Sequence, residues 1–238
     1  MKTIGMLGGM SWESTASYYR ALNEGVKAAL GGLHSAKLCL YSVDFADIER
    51  LQHAGDWAAT AEILCQAARS VEAGGADFLI IGTNTMHKVA PEIEAAVDIP
   101  LLHIADATGQ RLADDGIRRV GLLGTRFTME QDFYAGRLTE GFGIEVLVPD
   151  ALQRDLIHEV IYTELCQGRV LDASRQRYLE IIDSLQAHGA EAVILGCTEI
   201  ALLVQQAHTS VPLYDTTAIH AEQAVAWALS ESMGGKPA

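Results

Sequence analysis

Short apolar runs alternate along the chain with longer stretches in which apolar residues recur every three or four positions. The runs lie at residues 3–7, 38–43, 78–81, 100–103, 120–123, 145–148, 192–195 and 212–214, and their length predicts strands. Helical spacing covers 14–29, 57–73, 129–141, 154–167, 173–188 and 216–232, several of these segments opening on Ser, Thr or Asp. Strand and helix in alternation are the pattern of βαβ units, which predicts an α/β fold built on parallel sheet.

The pattern repeats itself. Gly75-Ala76-Asp77-Phe78-Leu79-Ile80-Ile81-Gly82-Thr83-Asn84-Thr85 matches Gly189-Ala190-Glu191-Ala192-Val193-Ile194-Leu195-Gly196-Cys197-Thr198-Glu199. Ile4-Gly5-Met6-Leu7-Gly8-Gly9 likewise matches Val120-Gly121-Leu122-Leu123-Gly124-Thr125, and Ile99-Pro100-Leu101-Leu102 matches Val211-Pro212-Leu213-Tyr214. The offsets, 197−83=114, 124−8=116 and 212−100=112, are nearly constant and in one order, as internal duplication requires. An apolar strand ending in glycine is by itself what any doubly wound sheet produces; three matches in register are not. The expected architecture is two similar doubly wound parallel-sheet domains related by a pseudo-two-fold, 1–103 plus 214–238 and 104–213. Ligands bind outside the carboxyl ends of parallel strands, so the expected site is the interdomain cleft, with Thr83 facing Cys197.

Composition narrows the function. A chain of 238 residues, 49% apolar, can bury one large core or two smaller ones. Its apolar runs are far shorter than the roughly 18–20 residues of a membrane span, and its N-terminus reads as a first strand, which places the protein in the cytoplasm. A formal charge of −14 with 17 basic residues argues against nucleic acid or an anionic membrane as partner. It leaves small acids open, because helix N-termini and backbone amides supply local positive potential. Cys39, Cys65, Cys166 and Cys197 lack metal-ligand spacing, so no metal and no structural disulfide are expected. Cys39 and Cys65 read as small buried hydrophobes.

Cys197, after a strand and before a helix, has the setting in which amides and a helix N-terminus stabilise a thiolate. A small core thiol fits that half equally well, and the repeat, which puts Thr83 at the matching point, favours function. Gly5, Gly8 and Gly9 lack the full dinucleotide-binding spacing, and Lys88 has no further feature of a Schiff-base lysine. No cofactor is expected.

Gly8-Gly9-Met10, Thr83-Asn84-Thr85 with His87, and Gly196-Cys197-Thr198-Glu199 resemble the aspartate/glutamate racemase family over essentially the whole chain. The resemblance implies cofactor-independent interconversion of L- and D-aspartate or glutamate in the cytoplasm, with a homodimer as the assembly to test. In that family two cysteines flank the substrate α-carbon, one removing the proton and the other returning one to the opposite face. Cys197 matches the cysteine that acts on the L-enantiomer. Thr83 stands where the other cysteine is usual, and a threonine hydroxyl donates a proton more readily than it removes one. Turnover is therefore expected to favour the L-substrate.

For the substrate carboxylate and ammonium the candidates are Met10 with the amides around it, Asn84, Thr85, Thr125, Thr128, Thr198 and Glu199. An N-cap role is an equal reading for Thr125 and Thr128, and a first-turn acid for Glu199. The basic residues that hold a distal carboxylate in two-cysteine aspartate racemases, an arginine near Ile48 and a lysine near Cys166, are unmatched. Gln52, Arg50 and His53 are the replacements in reach, against a solvated-face reading of 47–50. His87 reads either as a tuner of Thr83 or as a histidine satisfied by backbone. Two rival functions remain: a one-cysteine relative such as an arylmalonate-decarboxylase-like enzyme or isomerase, and a non-catalytic amino-acid-binding module.

Overall fold

A computed structural model describes residues 1–230. The chain divides into two compact units, one comprising Met1–His103 and the segment from His220 onward, the other Ile104–Ile219.

In the first unit β1 (Ile4–Gly8), β2 (Leu38–Ser42) and β3 (Phe78–Ile81) form a parallel sheet in the order β2-β1-β3. The chain crosses between strands through α1 (Trp12–Leu30), then α2 (Phe45–Ala54) and α3 (Trp57–Ala73), with the short α4 (Ala90–Glu94) after β3. Successive side chains of a strand point to opposite faces. Ile4, Met6, Phe78 and Ile80 accordingly enter one apolar cluster with Tyr18, Leu22 and Val26 of α1, while Leu7, Leu79 and Ile81 enter another with Leu64, Ala68 and Val71 of α3. Both faces are covered, which is why the central strands read as continuous apolar runs. The edge strand β2 is only partly covered, and Cys39 on it is half-buried where a buried thiol was expected; Cys65 on α3 is buried.

The second unit opens with α5 (Ile104–Asp114) and carries β4 (Arg119–Gly124), α6 (Arg126–Glu130), α7 (Asp132–Phe142), β5 (Glu145–Leu147), α8 (Ala151–Thr163), α9 (Asp172–Ala187), β6 (Ala192–Gly196), α10 (Ile200–Leu203) and β7 (Leu213–Asp215). Its parallel sheet runs β5-β4-β6-β7. A single apolar cluster spans it, from Leu122 and Leu123 to Tyr178, Ile182 and Ile194. Last comes α11 (Thr216–Leu229), which passes into the first unit at His220.

The two sheets repeat one topology: β1 corresponds to β4, β2 to β5 and β3 to β6. The partner of β7 is reduced in the first unit to a single parallel bridge, Leu79 to Leu101. The strand expected at 100–103 is thus one residue pair long, held where the Pro100 carbonyl accepts from the Leu79 amide and the Leu102 amide donates to the Leu79 carbonyl, each at 2.9 Å. Three expectations need correction. The return to the first unit falls at His220, not 214, since β7 pairs with β6. The helix expected over 129–141 is two, broken where Gln131 turns extended (φ −109°, ψ 147°). The helix expected over 154–167 begins at Ala151, drawn back by an Asp150/Gln153 capping box, and ends at Thr163. Residues 231 and 232 of the last expected helix lie outside the described residues.

Candidate active site

Both matched loops leave the carboxyl ends of the third strand of each repeat, β3 and β6, each through a glycine. A β-carbon on Gly196 would stand 2.8 Å from the Leu123 carbonyl oxygen, and one on Gly82 2.7 Å from the Met6 terminal methyl and 3.2 Å from the Leu7 carbonyl. Glycine is required at these strand ends by close backbone approach. The residue after it is delivered to the loop: Thr83 in one unit, Cys197 in the other.

Cys197 is 9% exposed and Glu199 4%. The thiol donates to Glu199 Oε2 at 3.0 Å, and the Thr198 hydroxyl donates to the same oxygen at 2.7 Å. Burial, the Glu199 carboxylate and Cys166 push the thiol well above its ordinary range, against a smaller opposite pull from the Glu199 backbone N–H. The expected thiolate-stabilising setting is therefore corrected: α10 beyond the loop is four residues long, too short to outweigh desolvation and a carboxylate. The resting group is a thiol.

In the first unit Thr83 is half-buried and its carbonyl accepts from His87 Nδ1 at 2.8 Å. Thr85 opens the single 3₁₀ turn, Thr85–Val89, that carries His87. The His87 ring lies 4.4 Å, centroid to centroid, from His103 and 6.0 Å from His220. His220 faces the Leu102 carbonyl with Nε2 at 2.9 Å and the Tyr18 hydroxyl with Nδ1 at 2.8 Å, which fixes the proton on Nε2 and makes the phenol the donor. Desolvation holds His87 well below the normal histidine range, its two neighbours adding to the effect, and lowers His220 to about 4. Buried His87 and His220, both held neutral, thus back the Thr83 loop, with the buried His103 ring beside them. Sequence reading found only His87 of this group, because residues 18, 103 and 220 lie far apart and none belongs to a motif.

The other expected residues divide. Asn84 is buried directly after Thr83, and Gln52 is buried on α2 with its amide 4.0 Å from Met86 Sδ. Arg50 and His53 lie on the outer side of α2 beside Asp47 and Glu49. Met10 packs its side chain into the core with Leu7 and Ile48, so only its backbone can serve a ligand. Thr125 caps α6, its hydroxyl accepting from the Thr128 amide at 3.3 Å. Glu199 accepts from both the Thr198 hydroxyl and the Cys197 thiol. Lys88 lies over the Trp57 ring, 4.3 Å from its centroid. Among the described residues no group of three or more His, Cys, Asp or Glu is placed to hold a metal ion.

The Asp/Glu/hydantoin racemase family model matches residues 7–224, nearly the whole described chain. The chain belongs to that family. Similar solved structures include a candidate Asp/Glu racemase from Yersinia pestis, 56% identical with a TM-score of 0.90, covering 96% of this chain and 100% of that one. An aspartate racemase homologue from Pyrococcus horikoshii is 33% identical with a TM-score of 0.83, covering 96% and 99%. The broad-specificity amino-acid racemase RacX of Bacillus subtilis is 25% identical over 162 residues, 68% of this chain and 69% of that one.

Proposed function

We propose that the protein is a cofactor-independent amino-acid racemase acting on L- and D-aspartate and glutamate. Cys197 removes the α-proton from the L-substrate; Thr83 gives its hydroxyl proton to the other face as the new C–H bond forms, and its oxygen takes a proton from solvent in the same event. The observation that carries this is the correspondence of the two loops. In topologically matched sheets, the same strand end delivers a buried thiol in one unit and a hydroxyl in the other. Family membership supports the reaction class, and the names of the relatives support amino acids as substrates. Asn84, Thr85 and the backbone amides near Met10 and Ser11 are the proposed partners of the α-carboxylate, which gathers charge as the carbanion forms. Gln52, turned inward where Arg50 and His53 are turned out, is the proposed contact of the distal carboxylate. A neutral amide there selects less strictly for acidic side chains than a cation does.

The equilibrium constant of racemisation is one, so kcat/KM must be equal from both enantiomers. The asymmetry of thiol and hydroxyl must therefore appear in kcat and KM together, and in exchange without inversion. Incubation in D₂O tests this by NMR and chiral chromatography. Wild type is expected to exchange the α-proton of the L-enantiomer faster than it inverts it. Thr83→Ala should keep that exchange while losing inversion, and Cys197→Ser should lose both. Equal kcat from L and D, or no α-proton exchange from any of these four amino acids, overturns the proposal.

A further inference from the structure

We propose that His87 is a positioning residue for Thr83: its imidazole holds the carbonyl of the residue that gives the proton, and so fixes the direction in which the hydroxyl is presented. This rests on the racemase reading above and deepens it, because it says what keeps a side chain on an irregular loop turned to one face of the α-carbon.

Residues 82–84 belong to no strand or helix, lying between the end of β3 at Ile81 and the 3₁₀ turn that opens at Thr85. No repeating backbone ladder sets their torsions. Two hydrogen bonds do so instead. The Gly82 amide donates to the Leu7 carbonyl of β1 at 2.8 Å, and His87 Nδ1 donates to the Thr83 carbonyl at 2.8 Å. The first ties the loop to the sheet one residue before Thr83. The second fixes the peptide plane that leaves it, and with that plane the rotation about the Thr83 Cα–C bond. A β-branched side chain is restricted at χ1, so the backbone direction largely decides where this hydroxyl goes.

The ring that makes the bond is itself held. His87 is 1% exposed. It lies against His103 at 4.4 Å between centroids with 61° between the planes, and 6.0 Å from His220. His220 is tied through one nitrogen to the Tyr18 hydroxyl and through the other to the Leu102 carbonyl. That carbonyl belongs to the peptide entering His103, so one bond braces both neighbours of the His87 ring. Because a carbonyl only accepts, the His87 proton sits on Nδ1. Burial and the two neighbouring rings disfavour the imidazolium, which keeps this tautomer. The Nδ1 proton is committed to the backbone; His87 acts on Thr83 through geometry, not by proton transfer.

The ratio of inversion to α-proton exchange from the L-enantiomer in D₂O tests the assignment. Exchange uses the Cys197 face and inversion also needs Thr83, so a ratio taken in one sample does not depend on how much protein is folded. His87→Leu keeps most of the volume and removes the donor. It should lower the ratio by about 10- to 100-fold, the scale set by small misplacements of a reacting group. His87→Asn sets an amide N–H where Nδ1 stands and should restore most of that loss, although it leaves the larger cavity beside His103. A packing role predicts the reverse order. His87→Gln, whose amide nitrogen reaches the Nε2 position instead, gives the same reading as His87→Leu should that variant not fold. Adding His87→Leu to Thr83→Ala should leave the exchange rate where Thr83→Ala alone puts it, because the two changes act on one group.

An unchanged ratio in His87→Leu overturns the assignment, as does a lower ratio in His87→Asn than in His87→Leu. A further loss of exchange in the double variant overturns it too. Wild type that neither exchanges nor inverts removes the racemase reading. The Thr83 carbonyl ¹³C shift, moved in His87→Leu and returned in His87→Asn, would still decide whether the ring holds the loop.

Discussion

Single atoms decide much at the two strand ends. A methyl group at Gly196 would press on the Leu123 carbonyl and on Leu122 Cδ1 at 2.9 Å. Gly196→Ala is therefore expected to cost about 1–3 kcal/mol in urea unfolding, by overpacking, and to displace Cys197 from Glu199. Thr83→Cys should raise kcat from the D-enantiomer, because a thiol can lose a proton where the hydroxyl cannot, with kcat/KM rising equally from both sides. The buried histidines give a pH signature. His220 takes a proton near pH 6.5 when unfolded and near 4 in the fold, so the unfolded state binds more protons between those values. Its contribution to stability is complete above pH 6.5 and declines as pH falls toward 4, by about 3 kcal/mol. Urea melts between pH 4 and 7 should show this slope, and His220→Gln should flatten it.

Elements were legible where they bury large apolar side chains on a regular period. α3 matches its expected bounds at both ends, with Leu64, Ala68 and Val71 inward. α5 escaped notice because its buried side is largely Ala105, Ala107, Thr108 and Gly109, small residues with little periodic signal. Its reason is tertiary: a β-carbon on Gly109 would lie 2.4 Å from the Phe142 ring of α7, so Gly109→Ala should destabilise the second unit by about 1–3 kcal/mol in denaturant melts. The two readings of α2, a solvated face at 47–50 and a ligand contact from Arg50, Gln52 or His53, divide between its sides: Asp47, Glu49 and Arg50 are outward, while Ile48, Leu51 and Gln52 are buried. Cys197 and Thr83 could be found from sequence because the repeat aligns them. The Cys197–Glu199 contact could not, since two residues of spacing says nothing about which way a carboxylate turns.

Across the molecule, duplication in the sequence became duplication of topology in three strands of each sheet, with different residues at equivalent ends. The second unit is one continuous stretch with its own sheet and core. Residues 104–219 expressed alone are expected to unfold cooperatively by circular dichroism. The first unit is discontinuous, and its continuity has a direction in time. Ile4, Tyr18, Leu22, Phe78 and Ile80 share a cluster with Ala221, Ala224, Val225 and Ala228 of α11. A ribosome delivers the chain from its N-terminus at about 5–20 residues per second. β1, α1 and β3 therefore wait, one apolar face open, while the second unit can already close, until α11 leaves the tunnel and completes their cluster.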